Sequence, residues 1–155
     1  AVVLTICLTI TGIYDFVVIV RDNGPGRRVT VNMNSALTDW LAENLTSKDL
    51  VLTPEYSMNE VTMSGIMMYM GWPYYAWSAG YDTYSRADIA KQIYSSTDEN
   101  TVKNLVKQEK ITYILFEDGM QFEEMECRED VIAKALPLAY RSEDGRIRIY
   151  ETSND

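Results

Sequence analysis

Aromatic residues are concentrated in one short segment, from Tyr69 to Tyr84. Its sequence, YMGWPYYAWSAGYDTY, holds seven tyrosine or tryptophan residues among sixteen. Tyrosine and tryptophan have a flat apolar body with a polar tip, so they can stack on the apolar face of a sugar ring. Nearby amides and carboxylates can then bind the sugar hydroxyls. This chemistry makes the segment the main candidate for a binding site.

The candidate substrate-binding residues follow directly from this segment. They are Tyr69, Trp72, Tyr74, Tyr75, Trp77, Tyr81 and Asp82. Gly71, Pro73 and Gly80 interrupt the run, and the aromatic positions fall on every face of a regular element, so we expect a structured loop. The alternative is that the rings fill the space between a sheet and its helices, or pack against a partner domain, and bind no ligand.

The sequence lacks the residues of a complete catalytic site. It has no histidine, which removes the commonest general base and every Ser-His or Cys-His nucleophile. Cys7 and Cys127 are too few for a thiolate zinc site, and the sequence leaves open whether they pair. No glycine-rich phosphate loop is present. We therefore assign no catalytic residue, no metal and no cofactor.

Several acidic residues lie near predicted strand ends, where open α/β sheets place their ligands. They are Glu55, Glu60, Asp82, Asp88, Glu117 and Asp118. An acid–base pair would need two of them to face each other across a cleft. Because the chain has 23 acidic residues, accidental pairs are common, and we interpret these side chains as solvated surface charges.

The methionines are clustered as well. Five of the eight are Met58, Met63, Met67, Met68 and Met70. Flexible thioethers fill irregular gaps in cores, and they also line adaptable binding surfaces. We interpret this cluster as core packing.

Length and charge limit the possible classes of protein. A chain of 155 residues suits one domain with its own core. A net charge of −9 argues against nucleic acid as a partner, since such proteins present a basic face to the phosphates.

The first twenty residues are almost free of charge, with Asp15 the only exception. Such a stretch could be the end of a membrane helix. It could also be two buried strands with a turn at Thr11-Gly12, because valine, isoleucine and threonine are frequent in it. Residues 1–21 are thus one segment, residues 22–33 a linker containing DNGPGRR, and residues 34–155 a single α/β domain.

The rest of the chain alternates predicted helices and strands. Helices are expected after Asn34 or Ser35, from Ser85, from Asp98 and over residues 128–136; strands over 49–53, 61–70 (or a hairpin there) and 111–116. A closing hairpin turns at Asp144-Gly145. This order favours a small Rossmann-like three-layer α/β sandwich, mostly parallel with an antiparallel C-terminal edge hairpin.

Several of these segments together resemble a known family. They are TMSGIMMYMGWPYYAWSAGYDTYSR, the preceding WLAENL and LVLTP, and the later VKQEKITYILFEDG and RIRIYE. Their order is similar to that in the C-terminal extracytoplasmic domain of bacterial multi-span membrane glycosyltransferases of the GT-C type, which are related to protein mannosyltransferases and oligosaccharyltransferases. The resemblance covers nearly the whole chain, and its most specific part is Tyr69-x-Gly71-Trp72-Pro73 with Trp77-Ser78-x-Gly80.

The resemblance implies a parent enzyme that uses a polyprenyl-phosphate sugar donor, with its catalytic carboxylate in the membrane portion. This chain would then be a non-catalytic accessory domain on the extracytoplasmic side of the bacterial cell membrane. Its partners would be a carbohydrate or glycan acceptor and the transmembrane domain of the same parent protein. The alternative function is a purely structural or protein-interaction module without a ligand. The sugar, the acceptor, the lipid carrier and the oligomeric state remain open.

Overall fold

The structure is a computed structural model that describes residues 2–24, 30–120 and 125–152, without the side chains of residues 2–4 and 6–8. The chain divides into two compact units, residues 1–30 and residues 31–155. Part of the predicted linker, residues 25–29, lies outside the described residues. So does the side chain of Cys7, and its pairing with Cys127 stays open.

The first unit contains one helix, α1, from Val2 to Asp22. The two buried strands considered for this segment are therefore wrong. No turn forms at Thr11-Gly12, because the helix continues through it. Within the helix, the Thr9 hydroxyl donates to the Thr5 carbonyl at 2.7 Å. Within residues 2–24, 30–120 and 125–152, no helix combines the length and the apolar character needed to cross a membrane.

The second unit is built on one mixed sheet. Its strands are β1 (Leu50–Leu52), β2 (Met67–Met68), β3 (Tyr113–Glu117), β4 (Leu138–Arg141) and β5 (Ile147–Glu151). They lie in the order β2-β1-β3-β5-β4. β1 pairs in parallel with both β2 and β3. β5 pairs antiparallel with both β3 and β4. This arrangement confirms the predicted α/β class with its antiparallel C-terminal hairpin.

The helices of this unit cover both faces of the sheet. They are α2 (Ala36–Asn44), α3 (Glu60–Met63), α4 (Pro73–Ser78), α5 (Thr83–Ser95), α6 (Glu99–Glu109) and α7 (Glu129–Ala135). Side chains alternate along β3, so Ile114 and Phe116 pack with α5, α6 and α7. Tyr113 and Leu115 face the other way and pack with α2 and α3. The result is a three-layer sandwich with two apolar cores.

The predicted caps explain where two helices begin. The Ser35 hydroxyl accepts from the Thr38 amide at the start of α2, and the Asp98 carboxylate accepts from the Thr101 amide at the start of α6. Tyr94 of α5 then ties the layers together, because its buried hydroxyl lies 2.7 Å from the Leu115 carbonyl and 3.2 Å from the Leu52 carbonyl. A single phenol thus connects α5 to β1 and β3.

Residues 61–70 differ from the predicted strand or hairpin. Their first half is the short helix α3, capped by Asn59, whose side chain accepts from the Thr62 amide. Gly65 follows with φ of 79°, a left-handed conformation that only glycine adopts readily. Only Met67 and Met68 remain extended, as β2. The cap satisfies an amide that the first turn of a helix leaves without an internal partner, and this favours α3 over the β propensity of Val61.

Candidate functional site

The aromatic segment contains a short helix where we expected a loop. α4 covers Pro73–Ser78, with proline at its first position, where a missing N–H costs no hydrogen bond. Gly71 and Gly80 bracket it with φ of 64° and 87°. The glycines let the chain turn sharply into and out of α4. The residues that led us to expect a loop therefore lie at the ends of a short helix.

α4 separates its aromatic side chains into two sets on opposite faces. Trp72, Tyr75, Ala76 and Ala79 follow helical spacing on one face and line one groove. Tyr74 and Trp77 lie on the other face and line a different groove. The predicted site residues therefore do not form a single platform.

The groove on the Tyr74 side, which we call the aromatic groove, has a volume of about 430 Å³. Its lining residues are Glu55, Tyr56, Met70, Pro73, Tyr74, Trp77, Thr83, Tyr84, Ala87 and Lys91. Glu55 and Tyr56 follow the end of β1, and Met70 follows the end of β2. The groove thus lies at the carboxyl ends of parallel strands, where α/β sheets usually bind ligands.

Four rings line the aromatic groove; Tyr56 is 50% exposed, and the other three are more exposed still. Tyr74 is 69% exposed, Trp77 is 66% exposed and Tyr84 is 82% exposed. Large apolar rings usually bury themselves when a core is available, so a cluster of exposed ones at a groove marks a surface for contact. Flat rings in this state can stack on a ligand without any rearrangement of the core.

The aromatic groove also has polar groups of both signs. Glu55 and Lys91 are half-buried at its lining, and neither forms an ion pair with another described residue. A carboxylate accepts hydrogen bonds and an ammonium donates them, so the pair can bind hydroxyl groups of a neutral ligand. The groove therefore combines stacking surfaces with hydrogen-bonding groups.

Sequence reasoning missed part of this groove. Tyr84, Ala87 and Lys91 share one face of α5 at spacing i, i+3 and i+7. α5 begins at Thr83, two residues before the predicted start. Tyr84 lay outside the predicted helix, so the sequence did not place it on one face with Ala87 and Lys91. Tyr56 and Glu55 come from a loop after β1, and no local pattern in the sequence connects them with α5.

The second groove, which we call the methionine groove, has a volume of about 550 Å³. All five clustered methionines line it. Met58 is 45% exposed, and Met63 and Met67 are each 54% exposed. Core packing is therefore wrong for these three, although Met70, at 6% exposed, does belong to the core. Met67 belongs to β2 at the edge of the sheet, and no described strand lies beyond it.

Tyr69 is buried and is unsuited to stacking on a ligand. Only 1% of it is exposed, and its hydroxyl donates to Glu109 at 2.8 Å. Burial, together with the Glu109 carboxylate, holds the pKa of Tyr69 well above its usual value. Arg86 lies over its ring at 5.0 Å and over the Tyr81 ring at 4.7 Å, and also donates to the Tyr69 carbonyl. Tyr69 and Arg86 thus anchor the aromatic segment to the domain.

Asp82 is committed to the start of α5. Its carboxylate accepts from the Ser85 amide at 3.1 Å and from the Ser85 hydroxyl at 2.7 Å. These hydrogen bonds lower the pKa of Asp82, because they favour the charged form. Asp82 therefore acts as a helix cap, and this structural role accounts for an aspartate at this position without any sugar ligand.

The remaining carboxylates serve structural contacts or face solvent. Glu117, at the end of β3, accepts from the Asn59 amide at 2.9 Å and from the Ser57 hydroxyl at 3.2 Å. Asp118 binds Arg148 at 2.7 Å. Across the described part of the chain, no three His, Cys, Asp or Glu side chains converge in a way that could hold a metal ion. These contacts join loops to strands and leave the two grooves as the sites to consider.

No protein-family model matches the chain, and no curated protein matches it in sequence. The geometry of the grooves and the sequence resemblance are therefore the two indications of function.

Proposed function

We propose that this chain is a non-catalytic accessory domain that contacts carbohydrate through the aromatic groove. The observation that carries the proposal is the exposure of Tyr74, Trp77 and Tyr84 around a groove at the carboxyl ends of β1 and β2. Rings that stack on the apolar faces of a sugar need such exposure, and Glu55 with Lys91 supplies acceptors and donors for its hydroxyls.

The parent protein in this proposal is a bacterial membrane glycosyltransferase of the GT-C type, with the domain on the extracytoplasmic side. This part rests on the similarity of the segments around Tyr69-x-Gly71-Trp72-Pro73 and Trp77-Ser78-x-Gly80. A binding domain of this kind would hold the acceptor or donor sugar near a reaction centre supplied by the membrane portion. The aromatic groove suits this binding role because it offers groups that can hold a sugar but not a complete set of catalytic residues.

The test is glycan binding by the full chain and by two single variants on α4. A glycan array finds a ligand, and titration of that glycan gives its affinity. Trp77→Ala should weaken binding about tenfold, the effect of losing roughly 1.4 kcal/mol of ring stacking. Tyr75→Ala is the matched control, since it removes an exposed ring from the same helix but on the opposite face. It should change the affinity less than about twofold.

The folded state must be the same in both variants for this comparison. Trp77 and Tyr75 are 66% and 76% exposed, so their replacement should leave the thermal midpoint nearly unchanged. An array without any bound glycan would contradict the proposal, and so would equal losses for the two variants. In either case the alternative, a structural or protein-interaction module, would be the better account of the chain.

A further inference from the structure

The outer edge of β2 has main-chain groups that point away from the sheet. Met68 lies opposite Val51, and the Tyr69 amide donates to the Val51 carbonyl at 2.8 Å. In a parallel pair, a residue forms its two hydrogen bonds with the residues before and after its partner on the other strand. The partner's own N–H and C=O then point to the opposite side of that strand. The N–H and C=O of Met68 therefore face outward. β2 ends the strand order, so no described strand lies beyond it.

The methionine groove runs along this same edge. Met67 and Met68 of β2 line it, together with the flanking Ile66 and Met70. One wall comes from α3, and the other comes from the Tyr75, Ala76 and Ala79 face of α4. The groove is therefore an open slot beside a free strand edge, and its width is set by the two helices.

The lining of the slot is adaptable and almost uncharged. Methionine side chains are flexible and polarizable, so they can fit apolar partners of several shapes. Arg86 is the charged residue at the lining, and it forms no ion pair with a described residue. Its guanidinium uses a donor on the Tyr69 carbonyl, and further donors remain for an anion. An apolar slot with one cation at the end of β2 favours an apolar partner with one carboxylate.

We propose that the β2 edge binds an extended, apolar peptide segment of a partner protein by strand addition, with a peptide carboxylate at Arg86. Such a peptide would pair with the outward N–H and C=O of Met68, and its alternate side chains would enter the methionine groove. A second copy of this chain fits less well, because two concave slots facing each other cannot fill one another. This site is separate from the aromatic groove and does not depend on the proposed sugar contact.

The experiment is a selection of phage-displayed random peptides on the full chain, followed by affinity measurements with the enriched peptide. The enriched sequences should alternate apolar residues and carry Asp or Glu. Met68→Pro should weaken the enriched peptide about tenfold or more, because it removes the outward N–H but no hydrogen bond to β1. Met68→Ala keeps that N–H and should retain more affinity than Met68→Pro. Trp77→Ala should leave the affinity unchanged.

A second measurement covers the case in which Met68→Pro does not fold. Hydrogen exchange of the unmodified chain should show the Met68 amide slowed by the bound peptide. A parallel selection on Arg86→Met should lose the preference for Asp or Glu. Three results would overturn the proposal: no enriched family, unchanged exchange at Met68, or acidic peptides selected equally without Arg86. A chain dimer that Met68→Pro dissociates, seen by light scattering, would identify a second copy as the occupant instead.

Discussion

Glu129→Gln should destabilise the second unit more than Asp118→Asn, although each removes one carboxylate bound to Arg148. Glu129 makes a bidentate contact, with its two oxygens 2.5 Å and 2.8 Å from Nε and Nη2 of Arg148. It also accepts from the Tyr150 hydroxyl at 2.8 Å. Asp118 makes one contact, at 2.7 Å to Nη1. Glu129 thereby joins the start of α7 to β5, whereas Asp118 only extends the network.

The difference in magnitude follows from burial and geometry. The side chains of Arg148 and Glu129 are 13% and 30% exposed, and that of Asp118 is 56% exposed. Glutamine keeps the shape of Glu129 but turns an NH₂ group toward one donor of Arg148. Loss of a hydrogen bond to a charged group costs about 1.5–3 kcal/mol. We expect about 2–3 kcal/mol for Glu129→Gln on that basis, and less than about 1 kcal/mol for the exposed Asp118→Asn pair.

The assay is urea unfolding of the full chain near neutral pH, followed by circular dichroism, with the free energy of unfolding obtained by linear extrapolation. A double-mutant cycle with Arg148→Met isolates the Glu129 contribution from other effects of the amide. Equal losses for the two isosteric variants would refute the reasoning, since burial would then have no influence on the ion pair. So would a coupling energy near zero between Glu129 and Arg148.

Three further predictions concern the core and its titration. Burial and the hydrogen bond to a carboxylate raise the pKa of Tyr150 from 10.0 to about 12, so its contribution should be complete below pH 10 and lost as the pH rises toward 12. Urea midpoints measured across that range should fall less steeply in Tyr150→Phe. Leu115→Ala should cost about 2–5 kcal/mol and Leu138→Ala less than about 1 kcal/mol, because these leucines are 0% and 50% exposed; equal urea midpoints would contradict this. Asn59→Ala should cost about 1–3 kcal/mol in the same assay, since it removes the α3 cap and the bond to Glu117.

Long elements with a clear period could be predicted from sequence. The helix predicted from Asp98 is α6, Glu99–Glu109, and the strand predicted over 111–116 is β3, Tyr113–Glu117. Each pattern spans enough residues to outweigh local exceptions. The closing hairpin was also readable, since Asp144-Gly145 supplies the turn and Gly145 has φ of 72°. In these cases local propensity and tertiary packing favour the same structure.

Short elements were harder to predict, because contacts distant in sequence decide them. α4 has six residues. They are too few to show a helical period within the sixteen-residue segment, which holds seven aromatic residues. α3 depends on Asn59, which also contacts Glu117, 58 residues away in sequence. α5 begins at Thr83 because Asp82 caps it. An aspartate at this position is equally compatible with a helix cap and with a ligand contact, so the sequence alone does not distinguish the two roles.

The sequence by itself determined the class of fold, the acidic character of the chain, the lack of histidine chemistry and the concentration of rings after β2. Hydrophobic period, charge and residue type are local or additive, so they can be read without coordinates. Only the tertiary structure decided which rings are available. It buried Tyr69, and it placed Trp72, Tyr75 and Tyr81 at one groove and Tyr74, Trp77 and Tyr84 at another. The sheet edge and α5 decide this division, and no neighbouring residue in the sequence specifies where they lie.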